Sequence, residues 1–152
     1  MPLFDGLTPA QMARLAPLFK RVTFAAGHAI FAQGDRAETV FVLEHGDVEI
    51  RFRPDDGDWL PIATARPGGV VGWSAALARP RYTSSAVCVT PVQAVAIRGD
   101  EFRGVVRSDA DLGVLLLGRM ALTIANRLAG AQLQIARLIH EEVGYADVRN
   151  SS

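Results

Sequence analysis

The stretch 67–87 combines glycines, a short helical segment and a run of hydroxyl side chains, the residue types that bind small anions and sugars. Gly68, Gly69 and Gly72 allow backbone conformations closed to other residues and let a ligand approach the main chain. Ser74 is expected to cap the Ala-Ala-Leu-Ala helix that follows it, with free N–H groups facing an anion. Side chains suited to a phosphate or sugar follow: Arg79, Arg81, Tyr82, Thr83, Ser84 and Ser85. The stretch predicts a ligand pocket, and an ordinary polar loop with a capped turn is the alternative.

Length and composition limit the classes of function. The 152 residues predict one domain, and 16 basic against 16 acidic residues give no general attraction to nucleic acid. The single Cys88 cannot form an internal disulfide, and no signal-peptide pattern follows Met1. The most apolar window, 112–124, is interrupted by Arg119 and is too short to span a membrane. We therefore expect a cytoplasmic protein that does not enter membranes.

Apolar residues recur at helical spacing in some parts of the chain and at strand spacing in others. A short leading helix is predicted within 4–19, because Thr8 can cap it, Pro9 suits its first position and Pro17 should kink or end it. From Val22 onward apolar residues recur at every second position, which is typical of β-strands. The spacing of the turns between these segments favours a β-sandwich or barrel. The predicted strand segments are 22–24, 30–31, 40–43, 48–52, 59–63, 86–89 and 92–97. The fold class predicted is mainly β with flanking helices.

A long C-terminal helix is predicted to begin after Ser108-Asp109 and to run to about 143. Two positions of a heptad repeat form an apolar seam, at Leu117, Ala121, Ile124, Leu128, Ala131, Ile135 and Leu138. A second apolar face, for the β body to cover, contains Leu112, Leu115, Leu116 and Met120. We expect the seam to pair two chains as a homodimer. The predicted division is 1–107 for the body, 108–143 for the helix and 144–152 for a flexible tail.

Several turn motifs occur in the order known from one family. They are Gly27, Gln33-Gly34-Asp35, Gly46, Pro67-Gly68, Gly72 and Arg79-Pro80-Arg81. Over roughly 3–138 the chain thus resembles the cyclic nucleotide-binding domain of the catabolite activator (Crp/Fnr) family. The resemblance implies a double-stranded β-roll, or jelly roll, with short N-terminal helices, a phosphate-binding cassette at 68–85 and a long C-terminal dimerisation helix.

The cassette departs from the family's cyclic-nucleotide binders at two positions. Trp73 replaces the glutamate that holds the ribose hydroxyl, and Thr83 replaces the arginine that pairs with the cyclic phosphate. An arginine–phosphate hydrogen bond contributes about 1.5–3 kcal/mol and a neutral one about 1 kcal/mol, so cyclic AMP should bind more weakly. Either Arg79 or Arg81 supplies the missing charge, or Trp73 fills the sugar site. The second alternative leaves a pocket that is closed or takes a smaller or more apolar ligand.

These features predict a non-enzymatic, small-molecule-sensing regulatory domain; a ligand-free dimerisation or protein-docking module is the alternative. The candidate ligand-binding residues are Gly72, Trp73, Ser74, Ala75, Arg81, Tyr82, Thr83 and Ser84. The candidate ligand is cyclic AMP, cyclic GMP or another small anion. About nine residues follow Val143, too few for a DNA-reading helix-turn-helix, so we expect a free-standing sensor domain or a fragment of a longer protein. No catalytic or metal-binding cluster is predicted, because the three histidines are scattered.

Overall fold

Two four-stranded antiparallel sheets form the body in the computed structural model, which describes residues 2–55 and 57–125. The strands are β1 Lys20–Phe24, β2 Ala29–Phe31, β3 Thr39–His45, β4 Val48–Phe52, β5 Leu60–Ala65, β6 Val70–Val71, β7 Ser85–Cys88 and β8 Val92–Arg98. One sheet has the order β1-β8-β3-β6 and the other β2-β7-β4-β5. The predicted β-roll is therefore confirmed.

Helices flank the strands at both ends of the described chain, and one short helix lies between β6 and β7. They are the 3₁₀ turns Pro2–Phe4 and Ala16–Leu18, α1 Pro9–Leu15, α2 Trp73–Ala76, α3 Gly99–Ser108 and α4 over 110–125, where the described residues end. Thr8 caps α1 in a capping box, in which its hydroxyl accepts from the Gln11 N–H and the Gln11 side chain accepts from the Thr8 N–H. Pro17 was expected to kink or end the helix, and α1 ends at Leu15, with Pro17 in the 3₁₀ turn that follows.

Side chains of both sheets make the core, and β3 is buried on both of its faces. Val42 and Leu43 of β3 are fully buried, as is Ala94, which faces Leu43 across the β3–β8 ladder. Cys88 of β7 is buried too, and burial raises the pKa of its thiol. Cys88 is therefore a small core residue.

Helix α4 covers the body with one face and leaves another exposed. Asp109 caps it, since its carboxylate accepts a hydrogen bond from the Leu112 N–H at 3.1 Å. The predicted packing face is buried at Leu112, Leu116 and Met120 and half-buried at Leu115. Val114 and Leu117 are 75% and 43% exposed.

The rest of the predicted seam lies outside the described residues, at Leu128, Ala131, Ile135 and Leu138. The predicted helix end at 143 and the tail 144–152 also lie there. Among the helices of the described part, none is long and apolar enough to cross a membrane.

Candidate ligand cavity

The chain enters α2 through a left-handed glycine. Gly72 has a φ of +87° and is the N-cap of the helix, and a Cβ there would lie 2.7 Å from the carbonyl oxygen of Thr39. Only glycine combines this conformation with so close an approach to β3. Ser74 therefore lies inside the first turn, and the prediction that it caps the helix is wrong.

The chain leaves α2 through Ala78, the one non-glycine residue in the described part with a positive φ, at +59°. This conformation reverses the chain, so that the Arg79 N–H donates to the Ser74 carbonyl at 2.8 Å. The turn directs the chain from Arg79 onward along the rim of the cavity described below.

We expect Ala78→Gly to raise the free energy of unfolding by about 1 kcal/mol, because a left-handed conformation strains an L-residue and not glycine. Equilibrium urea unfolding measures this change. The matched substitution Ala110→Gly, at the exposed first position of α4, should not stabilise, because Ala110 has no positive φ to relieve. A destabilised Ala78→Gly variant would show that the left-handed conformation of Ala78 is not strained.

Gly68 and Gly69, the two glycines before β6, stabilise the fold. The Gly68 N–H donates to the Leu43 carbonyl at 2.8 Å, and the Gly69 carbonyl accepts from the Leu43 N–H at 2.9 Å. These bonds join the turn to β3. Of the three glycines expected to admit a ligand, Gly72 alone is among the described residues that line the cavity.

A cavity of about 400 Å³ lies between α2, the strands of the second sheet and α4. Small-molecule sites range from about 300 to 1,000 Å³, so its volume suits a small ligand. Its apolar walls come from Phe31, Ile50, Ile62, Leu77 and Ile124. Its other described lining residues are Gly72, Trp73, Ser74, Arg79, Tyr82, Thr83 and Ser84.

Tyr82 is held in place by the core. Its ring stacks on Phe31 with the centroids 3.8 Å apart, and its hydroxyl donates to the Thr39 carbonyl at 2.6 Å and accepts from the Thr39 N–H at 3.1 Å. Burial raises the pKa of this phenol, so it stays protonated at neutral pH. Because both functions of the hydroxyl are used by Thr39, Tyr82 contributes mainly an aromatic surface.

The polar side of the cavity has one positive charge. The side chain of Arg79 forms no hydrogen bond or ion pair within the described residues, and the same is true of the hydroxyls of Ser74, Thr83 and Ser84. No carboxylate lines the described part of the cavity. The site can therefore donate hydrogen bonds and balance one negative charge.

Trp73 lies in the wall and is only half-buried, yet its Nε1–H is buried without a hydrogen-bond partner. An unsatisfied donor of this kind costs about 1–3 kcal/mol. The indole narrows the cavity without closing it, since about 400 Å³ remains.

A family model described as the cyclic nucleotide-binding domain matches residues 21–109, which include both sheets apart from Lys20. The chain belongs to this family. Over 93% of its length it is 28% identical to 61% of a CRP-like cAMP-activated global transcriptional regulator from Mycobacterium tuberculosis. It thus spans about three fifths of that relative.

Solved structures of the family have the same fold. The catabolite activator protein of Thermus thermophilus superposes with a TM-score of 0.72 at 27% identity, over 93% of this chain and 65% of that one. A cyclic nucleotide-binding domain from Methylobacillus flagellatus superposes with a TM-score of 0.77 at 16% identity, over 88% and 75% of the two chains. The second likeness concerns the fold alone.

In this family member, six of the eight candidate ligand-binding residues line the cavity: Gly72, Trp73, Ser74, Tyr82, Thr83 and Ser84. Arg81 is exposed and donates to the Gly34 carbonyl at 2.8 Å, away from the described lining. Ala75 is fully buried, and its carbonyl accepts a hydrogen bond from Arg103. Arg79, considered as a substitute for the missing arginine, does line the cavity.

Sequence reasoning missed the apolar wall of the cavity. Ile50 and Ile62 were expected only as strand residues, and Ile124 only as part of the dimer seam. Strand alternation predicts that Ile50 and Ile62 face inward, although no local pattern distinguishes a filled interior from a cavity. The partial exposure of Ile62 and Ile124 could not be obtained from the strand or heptad pattern.

Proposed function

We propose that this domain is a small-molecule sensor with a non-standard cassette, in which Trp73 and Thr83 stand where the family's nucleotide binders have glutamate and arginine. The observation that carries this proposal is the cavity of about 400 Å³, which keeps Arg79 and three hydroxyls without protein partners in the described residues. A cavity that served packing alone would be smaller and would not be lined by a cation and hydroxyls that are open to solvent.

The contacts of α2 connect the cavity to the C-terminal helices. Arg103 of α3 donates to the Ala75 carbonyl at the end of α2, and Gly99 is packed so that a Cβ would lie 2.3 Å from the same oxygen. Ile124 of α4 lines the cavity directly. A ligand that moves α2 or Ile124 would thus change the position of α3 and α4, which provides an output.

We also propose that the output is a homodimer paired through α4. Val114 and Leu117 are exposed, and Ala121 follows them on the same side of the helix. Ile124, at the next position of this stripe, lines the cavity. The apolar stripe therefore begins on the surface and ends at the ligand site, which favours coupling between ligand binding and pairing.

A thermal-shift screen tests the sensor. It includes cyclic AMP, cyclic GMP, linear nucleotides, inorganic phosphate and a set of small organic acids. A ligand at a hundred times its dissociation constant adds about 2.7 kcal/mol, which raises Tm by roughly 5–10 °C for a domain of this size.

Two variants make the screen specific to the cavity. Ser84→Phe should fill the cavity and abolish the shift, whereas Thr64→Phe, at an exposed position of β5, should keep it. A shift that survives in Ser84→Phe would place the ligand elsewhere. The absence of any shift would favour the alternative function, a ligand-free docking module, for which the exposed Val114, Leu117 and Leu122 provide a surface.

A further inference from the structure

We infer that the cavity binds a small monocarboxylate with an apolar body rather than a nucleotide. This inference rests on the proposed sensor function and specifies its ligand class. Three observations carry it: the charge of the lining, the composition of the walls, and the contacts made by the polar rim.

The described lining carries one positive charge, which matches a ligand with one negative charge. Arg79 is the cation among the described lining residues, no carboxylate accompanies it, and its side chain has no described protein partner. A guanidinium binds a carboxylate through two parallel hydrogen bonds. A phosphate monoester carries nearly two charges, of which this lining balances one. A cyclic phosphodiester carries a single charge, so the charge of the lining accepts it and the walls alone disfavour it.

The walls disfavour a sugar. Phe31, Ile50, Ile62, Leu77 and Ile124 offer no hydrogen-bonding side-chain atom. Each ribose hydroxyl buried against them without a partner would cost about 1–3 kcal/mol. Aromatic or aliphatic groups lose no hydrogen bond there and gain from the removal of apolar surface from water.

The donors of the polar rim come mainly from the stretch of chain that follows α2. Arg79, Thr83 and Ser84 belong to one short segment of chain, whereas Ile50 and Ile62 come from β4 and β5. Tyr82 and Trp73 do not extend the polar end, because the Tyr82 hydroxyl is engaged with Thr39 and the Trp73 Nε1–H is buried. The ligand should therefore be polar at one end and apolar along its body.

Isothermal titration calorimetry of the full chain tests the inference with phenylacetate, indole-3-acetate and octanoate. Their primary amides keep the shape and lose the charge, and cyclic AMP is the nucleotide comparison. We expect at least one carboxylate to bind about tenfold to a hundredfold more tightly than its amide. Arg79→Gln should weaken that carboxylate by a similar factor and leave the amide unchanged.

Arg81→Gln is the matched control, since Arg81 is two residues away and its guanidinium contacts the Gly34 carbonyl outside the cavity lining. It should bind the carboxylate as the unmodified chain does. Equal affinity for acid and amide, or an unaffected Arg79→Gln, would overturn the inference. Tighter binding of cyclic AMP than of every carboxylate would also overturn the carboxylate inference, but it would support the sensor function. Failure of all compounds in both screens would contradict the sensor function as well as the carboxylate inference.

Discussion

Gly72→Ala is expected to lower the free energy of unfolding by about 2–4 kcal/mol and to abolish ligand binding. The backbone at Gly72 has a φ of +87°, which strains any residue with a Cβ. The added Cβ would also lie 2.7 Å from the Thr39 carbonyl, so β3 and the start of α2 must separate. Because Trp73 and Ser74 follow directly, this separation changes the cavity wall.

Gly27→Ala is the control that isolates the conformational cost. Gly27 has a φ of +83°, and a Cβ there would meet nothing within 4 Å. It should destabilise by about 1–2 kcal/mol without affecting the cavity. Urea unfolding monitored by far-UV circular dichroism compares the two variants. If they lose equal stability, the close approach of Gly72 to Thr39 has no energetic consequence.

Leu117→Glu is expected to dissociate the proposed homodimer. Leu117 is 43% exposed within the single chain, so a glutamate there should leave the fold intact. In a symmetric pair each chain would bury one carboxylate, and each buried carboxylate would weaken the free energy of pairing by about 2 kcal/mol or more. The dissociation constant should then rise about a thousandfold. Light scattering across a dilution series measures the change.

Leu122→Glu provides the matched control on the same helix. Leu122 is 63% exposed and lies five residues after Leu117, which turns it roughly 140° away around the helix. This variant should remain as dimeric as the unmodified chain. A Leu117→Glu protein that stays dimeric would show that pairing uses another surface, and loss of pairing in both variants would show that the effect is not specific to the stripe.

Much of the fold follows from local signals. The capping box at Thr8, the stop at Pro17 and the cap at Asp109 are short-range interactions between neighbouring residues, so sequence reasoning identifies them. Alternation identifies β4, where the buried Val48 and Ile50 flank a half-buried position. The start of α2 was misjudged because the left-handed Gly72 depends on its contact with β3, which is distant in the chain.

The cavity was predicted less completely than the fold. The hydroxyl run 82–85 marked its position, but the roles of Arg79 and Arg81 could not be separated by sequence, since the residues are two apart and chemically identical. The difference arises from the positive φ of Ala78, after which Arg79 reaches the lining, while Arg81 lies beside the turn at Gly34. Loop direction of this kind is set by packing.

The sequence by itself determined the fold class and the family, because periodicity, caps and turn glycines are properties of adjacent residues. Tertiary structure alone decided that Trp73 leaves a cavity open, that Arg79 is its cation, and that Ile62 and Ile124 form part of its wall. These facts depend on where β5, α2 and α4 meet. Such distances are fixed by the packing of elements far apart in the chain, which no local pattern encodes.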